Sequence, residues 1–400
     1  MNRLVLFSIS KYFEIAVLST AMLILANKIG PLEMALAMPI LLYVTYSNYL
    51  NVGSSQLVLK YLSRLNGKEE KIELMSVTIV IFIISSFAAF LLSSCFITDD
   101  FWLITSAIVI SVFFKSFMVA YLRVEEKFTP INMSNIIASS VLLVMVLCVV
   151  DNLSKYLYAL FFSNVLYIII TFLYHSNIRN YILNLSLRFS VEKLLFYVKT
   201  GVKISFVSFL VTVILTIDKI MLQNIIIEKE FLGTYQLADN IGTAVYMIFT
   251  TIFYFFYPIW LKKIDEDKEF EKKYCDVTLY CLLGIPLIVF VAMPLSSFFS
   301  GLIFPDFTGL ELMIPRVIAL KLSIIYLTLS TTLFISKSRE FLAILLQMSI
   351  IFSFALLFIF FNSVSFLDKT NIPLVMAGII LTFNTIFIYD YRRKNTKTNT

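Results

Sequence analysis

Apolar runs of about 20 residues, each closed by a short polar or charged break, recur along the whole chain. Read at that length, they predict about twelve membrane helices, over roughly 4–26, 35–59, 74–97, 101–122, 132–150, 156–175, 200–226, 232–260, 276–299, 312–335, 341–361 and 372–390. The breaks carry turn and charge signals: Lys28-Ile29-Gly30-Pro31, Asn66-Gly67-Lys68-Glu69-Glu70, Asp99-Asp100 and the mixed-charge loop Lys262–Lys273, which suits a solvated helix end. Pro39, Pro286 and Pro294 fall inside predicted spans, where a kink is tolerated if neighbouring helices satisfy the freed carbonyls. The second and eighth spans exceed the bilayer and are expected to tilt or project beyond it.

Composition narrows the class. Sixty per cent apolar residues, 14% charged and a mean hydropathy of +0.90 exclude an ordinary soluble domain and leave no room for one beside the spans. The net charge of +6 follows topology and does not point to nucleic acid. With the N-terminus inside, Lys and Arg crowd the inner connections (Lys60, Arg64, Lys68 and Lys71, for example, then Arg179, Arg188, Lys193 and Lys199). The outer ones hold only Lys28, Lys155, Lys229, Arg316 and Lys369. That alternation predicts an even helix count with both termini on the cytoplasmic side. The first run is too long for a signal-peptide core and carries Lys11 and Glu14, so it reads as a retained span. The polar stretch Arg392–Lys397 is expected to be disordered.

The expected fold class is therefore an all-α polytopic membrane protein, with about twelve transmembrane helices in two six-helix bundles around a central cavity. The divisions would be 1–176 for the first bundle, 177–199 for a cytoplasmic connection, 200–391 for the second bundle and 392–400 for a cytoplasmic tail. Each half opens with a long hairpin, so the halves read as parallel repeats related by an axis along the membrane normal.

The second of those hairpins is the most informative stretch. Two apolar segments meet at Glu228-Lys229-Glu230, and each holds an acid in its body, Asp218 and Asp239. Carboxylates inside spans are costly and survive where they face a bundle interior or a wet cavity. The pattern Asp218-Lys219-x-x-Leu222, then Gly233-x-Tyr235-x-x-Ala238, resembles the polysaccharide-transporter flippases, the Wzx-type O-antigen carriers. Their superfamily also holds multidrug exporters and the peptidoglycan-precursor flippase. Pro258 and the basic turn Ser336-Lys337-Ser338-Arg339 extend the likeness, as do Gly30 and Glu33 in the first hairpin. Ala35 stands where the family has a second Gly, and Pro305 where it often has one after Phe.

That resemblance implies translocation of an undecaprenyl-pyrophosphate-linked oligosaccharide, an O-antigen or similar repeat unit, to the outer leaflet of a bacterial inner membrane by alternating access. Its partners would be the lipid-linked substrate, membrane lipids and the polysaccharide polymerase machinery of lipopolysaccharide biosynthesis. A pyrophosphate directs attention to cations inside the spans, which are Lys11, Lys115 and Lys321. Lys11 and Lys115 each lie about 12 Å from the inner face, at ~1.5 Å per residue. Each of the three lysines also has a bland reading, as a snorkelling side chain or, for Lys11, a partner of Glu14 three residues on. Asp218 and Asp239 serve either proton or sodium coupling or an interhelix hydrogen bond. Lys219 points about 100° away from Asp218 along the helix and does not neutralise it there. The asparagines Asn48, Asn51, Asn132, Asn135, Asn164, Asn240 and Asn384 read chiefly as interhelix hydrogen-bonding groups.

Enzymatic readings find little support. His175 is the only histidine and sits near an inner interface, and Cys95, Cys148, Cys275 and Cys281 form no Cys-x-x-Cys pair. No Gly-x-x-x-x-Gly-Lys-Ser/Thr loop is present, so no cofactor, metal or nucleotide is expected, and the drive would be an ion gradient, membrane potential or consumption of the product. The longest outer loop offers only Asp306 and Glu311, which disfavours a polysaccharide polymerase. A cation-coupled multidrug exporter of the same superfamily is the competing transport reading.

Overall fold

The computed structural model describes residues 3–62, 65, 67–97, 100–174, 190–226, 228–337, 339–363 and 368–397. His175, Asp99 and most of the 177–199 connection lie outside them. The described elements are α-helices and one 3-10 turn: α1 (Arg3–Ser47), α2 (Ser54–Tyr61), α3 (Lys68–Phe96), α4 (Trp102–Val124), α5 (Phe128–Cys148) and α6 (Leu153–Tyr174). They continue with α7 (Val191–Ile225), α8 (Lys229–Glu266), α9 (Lys268–Ile303), α10 (Leu310–Ser336), α11 (Glu340–Ser363), the 3-10 turn Lys369–Asn371 and α12 (Ile372–Lys397).

Among the described residues, ten helical stretches are long and apolar enough to cross a membrane. The first holds two predicted spans, because α1 changes direction at Gly30, whose φ of 72° leaves the helical region. The chain is thus an all-helical membrane protein, as its hydropathy pattern predicts.

The helix ends correct the expectation in four places. The predicted 35–59 helix stops at Ser47 and restarts at Ser54, with Val52 and Gly53 at positive φ between them. A Cβ on Gly53 would stand 2.3 Å from Ser205 Oγ, and one on Gly201 would stand 2.1 Å from the Val52 carbonyl oxygen. Close seating of this turn on α7 is what requires both glycines. The helix expected from 200 begins at Val191. The loop expected over Lys262–Lys273 shrinks to Asp267, whose carboxylate caps α9 by accepting from the amides of Glu269 (2.9 Å) and Phe270 (3.1 Å). Lys and Glu are good helix formers, so these stretches extend helices past the bilayer instead of breaking them. The tail expected from 392 is helical to Lys397, with Arg392 paired to Asp276 at 2.8 Å.

The contacts group into two compact units, Met1–Ile29 with Leu36–Phe209, and Gly30–Ala35 with Leu210–Thr400. The first has one core where α2, α3, α4 and α5 meet (Leu57, Leu74, Met118, Ile131). A second gathers α1, α4, α5 and α6 (Leu25, Ile108, Leu142, Leu157). Lys28 closes the end of α5 by donating to the carbonyls of Val146 (2.7 Å), Leu147 (2.8 Å) and Val150 (3.0 Å). A cation suits the electronegative end of a helix. In the second unit α10 is the central helix: from Met313 to Phe334 every residue except Arg316 and Thr328 is buried. It packs against α8, α9, α11 and α12. Its polar side chains are buried with the apolar ones, Lys321 in an ion pair and the hydroxyls of Ser323, Ser330, Thr331 and Thr332 on carbonyls of the same helix. By contrast, α9 exposes Leu283, Leu287, Phe290, Phe298 and Leu302, a face suited to lipid.

Candidate functional site

Each unit contains one cluster of charged side chains within its helices, and each cluster sets two lysines on one carboxylate.

In the first unit, Lys11 and Glu14 lie three residues apart on one face of α1 and pair at 2.6 Å. Lys115 of α4 reaches the other oxygen of Glu14 at 3.1 Å. Its ammonium also lies 4.7 Å from the ring centroid of Tyr167 on α6, a distance at which the aromatic face attracts a cation. Close by in sequence, Ser10 donates to Asn132 Oδ1 at 2.7 Å and ties α1 to α5. The Glu14 side chain is 9% exposed, while Lys11 and Lys115 keep 34% and 24%. Two cations against one carboxylate leave a formal charge of +1 that is still reachable.

The second unit builds its cluster from the hairpin motif. Tyr235 of α8 donates to Asp218 of α7, which joins the two helices of the hairpin. The other Asp218 oxygen has no hydrogen-bond partner among the described residues. Lys219 reaches across the hairpin to Asp239 at 2.5 Å. Lys321 of α10 takes the second oxygen of Asp239 at 2.6 Å and donates to the Leu215 carbonyl at 3.0 Å. Side-chain exposure is 10% for Lys219 and 2% for Asp239 and Lys321. With Asp218 counted, two cations face two carboxylates and the cluster is neutral.

Glycines make that closeness possible. A Cβ on Gly233 would stand 1.7 Å from the Pro31 carbonyl oxygen, so the restart of α1 after Gly30 rests directly on α8. A Cβ on Gly242 would stand 2.8 Å from Val317 Cγ1 and 3.3 Å from Lys321 Cγ, so α10 approaches α8 where the lysine crosses.

The six residues singled out from sequence therefore fall into two groups. Lys11, Glu14 and Lys115 meet in the first unit; Asp218, Asp239 and Lys321 belong to the second. Two participants went unrecognised. The helical geometry that turns Lys219 away from Asp218 also aims it across the hairpin, and the spacing of Asp218 and Asp239 about the turn was the available signal. Tyr167 had no signal, being one of 21 tyrosines. Among the asparagines, Asn51 accepts from Ser54 (2.5 Å) and Asn240 accepts from Gln236 (2.8 Å), both local bonds. No group of three metal-ligating side chains occurs among the described residues, and Cys95, Cys148, Cys275 and Cys281 are free thiols.

No family model matches the sequence, and no curated protein matches it. Solved structures do share its fold. An inward-facing multidrug resistance MATE family transporter of the MOP superfamily superposes with a TM-score of 0.72, covering 98% of this chain and 96% of that one at 12% identity. Its outward-facing counterpart gives 0.63 at 14% identity, covering 99% and 96%. The lipid II flippase MurJ, in an inward closed conformation, gives 0.69 at 15% identity, covering 97% and 87%. At such identities the likeness is one of fold, and it extends over nearly the whole chain.

Proposed function

We propose that this protein is a flippase that carries an undecaprenyl-pyrophosphate-linked oligosaccharide, by alternating access, from the cytoplasmic to the outer leaflet of a bacterial inner membrane. One observation carries the reading: the Lys11–Glu14–Lys115 cluster keeps an excess positive charge, partly exposed, inside the apolar spans of the first unit. Intramembrane charge persists where it serves a polar path. Lysine meets phosphate as a compact point charge, and Glu14 holds both ammonium groups in place between transport events. The pyrophosphate head displaces part of that pairing as it enters, while the lipid tail stays in the bilayer. In this reading Lys11 and Lys115 receive the anion, and Lys321, buried against Asp239 and the Leu215 carbonyl, ties α10 to the hairpin.

The test is leaflet location. In host cells lacking the gene, labelled lipid-linked oligosaccharide should accumulate in the cytoplasmic leaflet and surface polysaccharide should fall. The wild-type gene should restore export, and a Lys11→Ala Lys115→Ala variant that inserts normally should not. Unchanged export in that variant would remove the anion argument.

Export of cationic drugs is the second reading, favoured by the likeness to a multidrug transporter at a TM-score of 0.72. Loss of resistance to lipophilic cations in the same deletion strain, with normal polysaccharide, would establish it instead.

A further inference from the structure

In the second unit Lys321 is held by oxygens of the kinds that hold a bound cation. Its ammonium is reached by a carboxylate oxygen of Asp239 at 2.6 Å and the main-chain carbonyl of Leu215 at 3.0 Å. Asp218, three residues after Leu215 on α7, keeps one carboxylate oxygen without a hydrogen-bond partner among the described residues. Carboxylate and carbonyl oxygens are the donors that hard cations take. The side chain is 2% exposed, so the charge is supplied from within the chain and does not exchange with solvent.

We propose that the Lys321 ammonium is a tethered counter-ion occupying a monovalent-cation site, formed by Asp239, the Leu215 carbonyl and Asp218, which sodium fills once the lysine is removed. The native cluster is neutral, two lysines against two aspartates, and therefore has no use for a free cation. Removing the Lys321 charge leaves two carboxylates against Lys219, a buried net charge of −1 that is strongly unfavourable unless something enters. The shortened side chain vacates a polar-lined space beside Gly242, whose own missing Cβ adds room where the Lys321 stem now runs.

The experiment is thermal unfolding of the full-length protein in detergent, with sodium chloride titrated against choline chloride at constant ionic strength. The wild-type midpoint should move by less than ~1 °C, because no site is open to a ligand. Lys321→Ala and Lys321→Met should each be rescued by sodium, with a rise of ~3 °C or more across the titration. Lys321→Met combined with Asp239→Asn, which lacks one of the site's carboxylates, should lose that response. A wild-type midpoint that tracks sodium, or folded single variants indifferent to it, would overturn the proposal. Should the single variants be recovered in neither salt while the double variant is recovered in both, sodium cannot replace the ammonium, and the proposal fails equally.

Discussion

The two charged clusters are built to one plan and end in opposite states. Each sets two lysines on the two oxygens of one carboxylate: Lys11 and Lys115 on Glu14, Lys219 and Lys321 on Asp239. In the first unit the pair on α1 spans one helical turn, the third partner comes from α4, and both lysines keep a quarter to a third of their surface. In the second, three helices close around the carboxylate, and Asp218 contributes a further negative charge. A cation in a membrane span is defined by what remains after its partners are counted. One cluster holds a reachable surplus, and the other cancels itself.

Substitution of the central acid separates the two most sharply. Asp239→Ala should leave Lys219 and Lys321 buried without their direct ion-pair partner and with Asp218 as the one remaining carboxylate of the cluster, a loss of about 3–5 kcal/mol read as a collapse of the unfolding midpoint or of recovered protein. If the variant unfolds within a degree or two of wild type, the ion pairs of the second unit are not structural. A backbone contact comes next. Gly233→Ala forces a methyl against the Pro31 carbonyl and should cost about 1–3 kcal/mol, measured in the same assay.

Lys115→Ala should do the reverse of Asp239→Ala. Glu14 keeps Lys11, so stability should change by about 1 kcal/mol or less, while export in cells falls tenfold or more. Equal losses of stability and export would erase the functional contrast between the units. The smallest effect is expected far from both clusters. Asp368 caps the 3-10 turn Lys369–Asn371, and its carboxyl lies below the usual carboxylate range, chiefly because the Thr370 hydroxyl donates to it, with the Thr370 amide and Arg316 adding to the effect. A lowered folded-state pKa means that this contribution is complete above the unfolded value and is lost as pH falls through the folded one. Asp368→Asn keeps a capping oxygen and loses only a solvent-screened charge, so it should cost about 0.5 kcal/mol or less at neutral pH, and its difference from wild type should shrink under acid.

Much of the architecture was legible because it follows from solvent physics. A chain crossing hydrocarbon must pair its backbone within each segment, so the apolar runs announced helices, and Gly30-Pro31 announced the change of direction in α1. The centrality of α10 was not legible, since α11 and α9 are more apolar and yet less buried. Helix ends were harder to place. Lys and Glu stretches such as 262–266 and 268–273 favour helix as readily as loop, and only packing and the Asp267 cap settled where α8 ends and α9 begins. The turn at Val52-Gly53 depended on Gly201, about 150 residues away in the chain, and no local pattern could supply that contact.

What the sequence by itself determined is the class of the molecule and the inventory of its intramembrane charges, because hydropathy and unpaired charge are properties of residue type. Which charges meet was decided only by the tertiary structure. Lys11 with Glu14 could be foreseen, since one helical turn brings them together; Lys115 with Glu14, and Lys321 with Asp239, could not. Those pairs are made by helices distant in the chain, and in the second unit Gly242 lets α10 approach α8 where Lys321 crosses, an absent side chain that says nothing about what will fill the space. Burial then completes the distinction, leaving one cluster with charge to offer and the other with none.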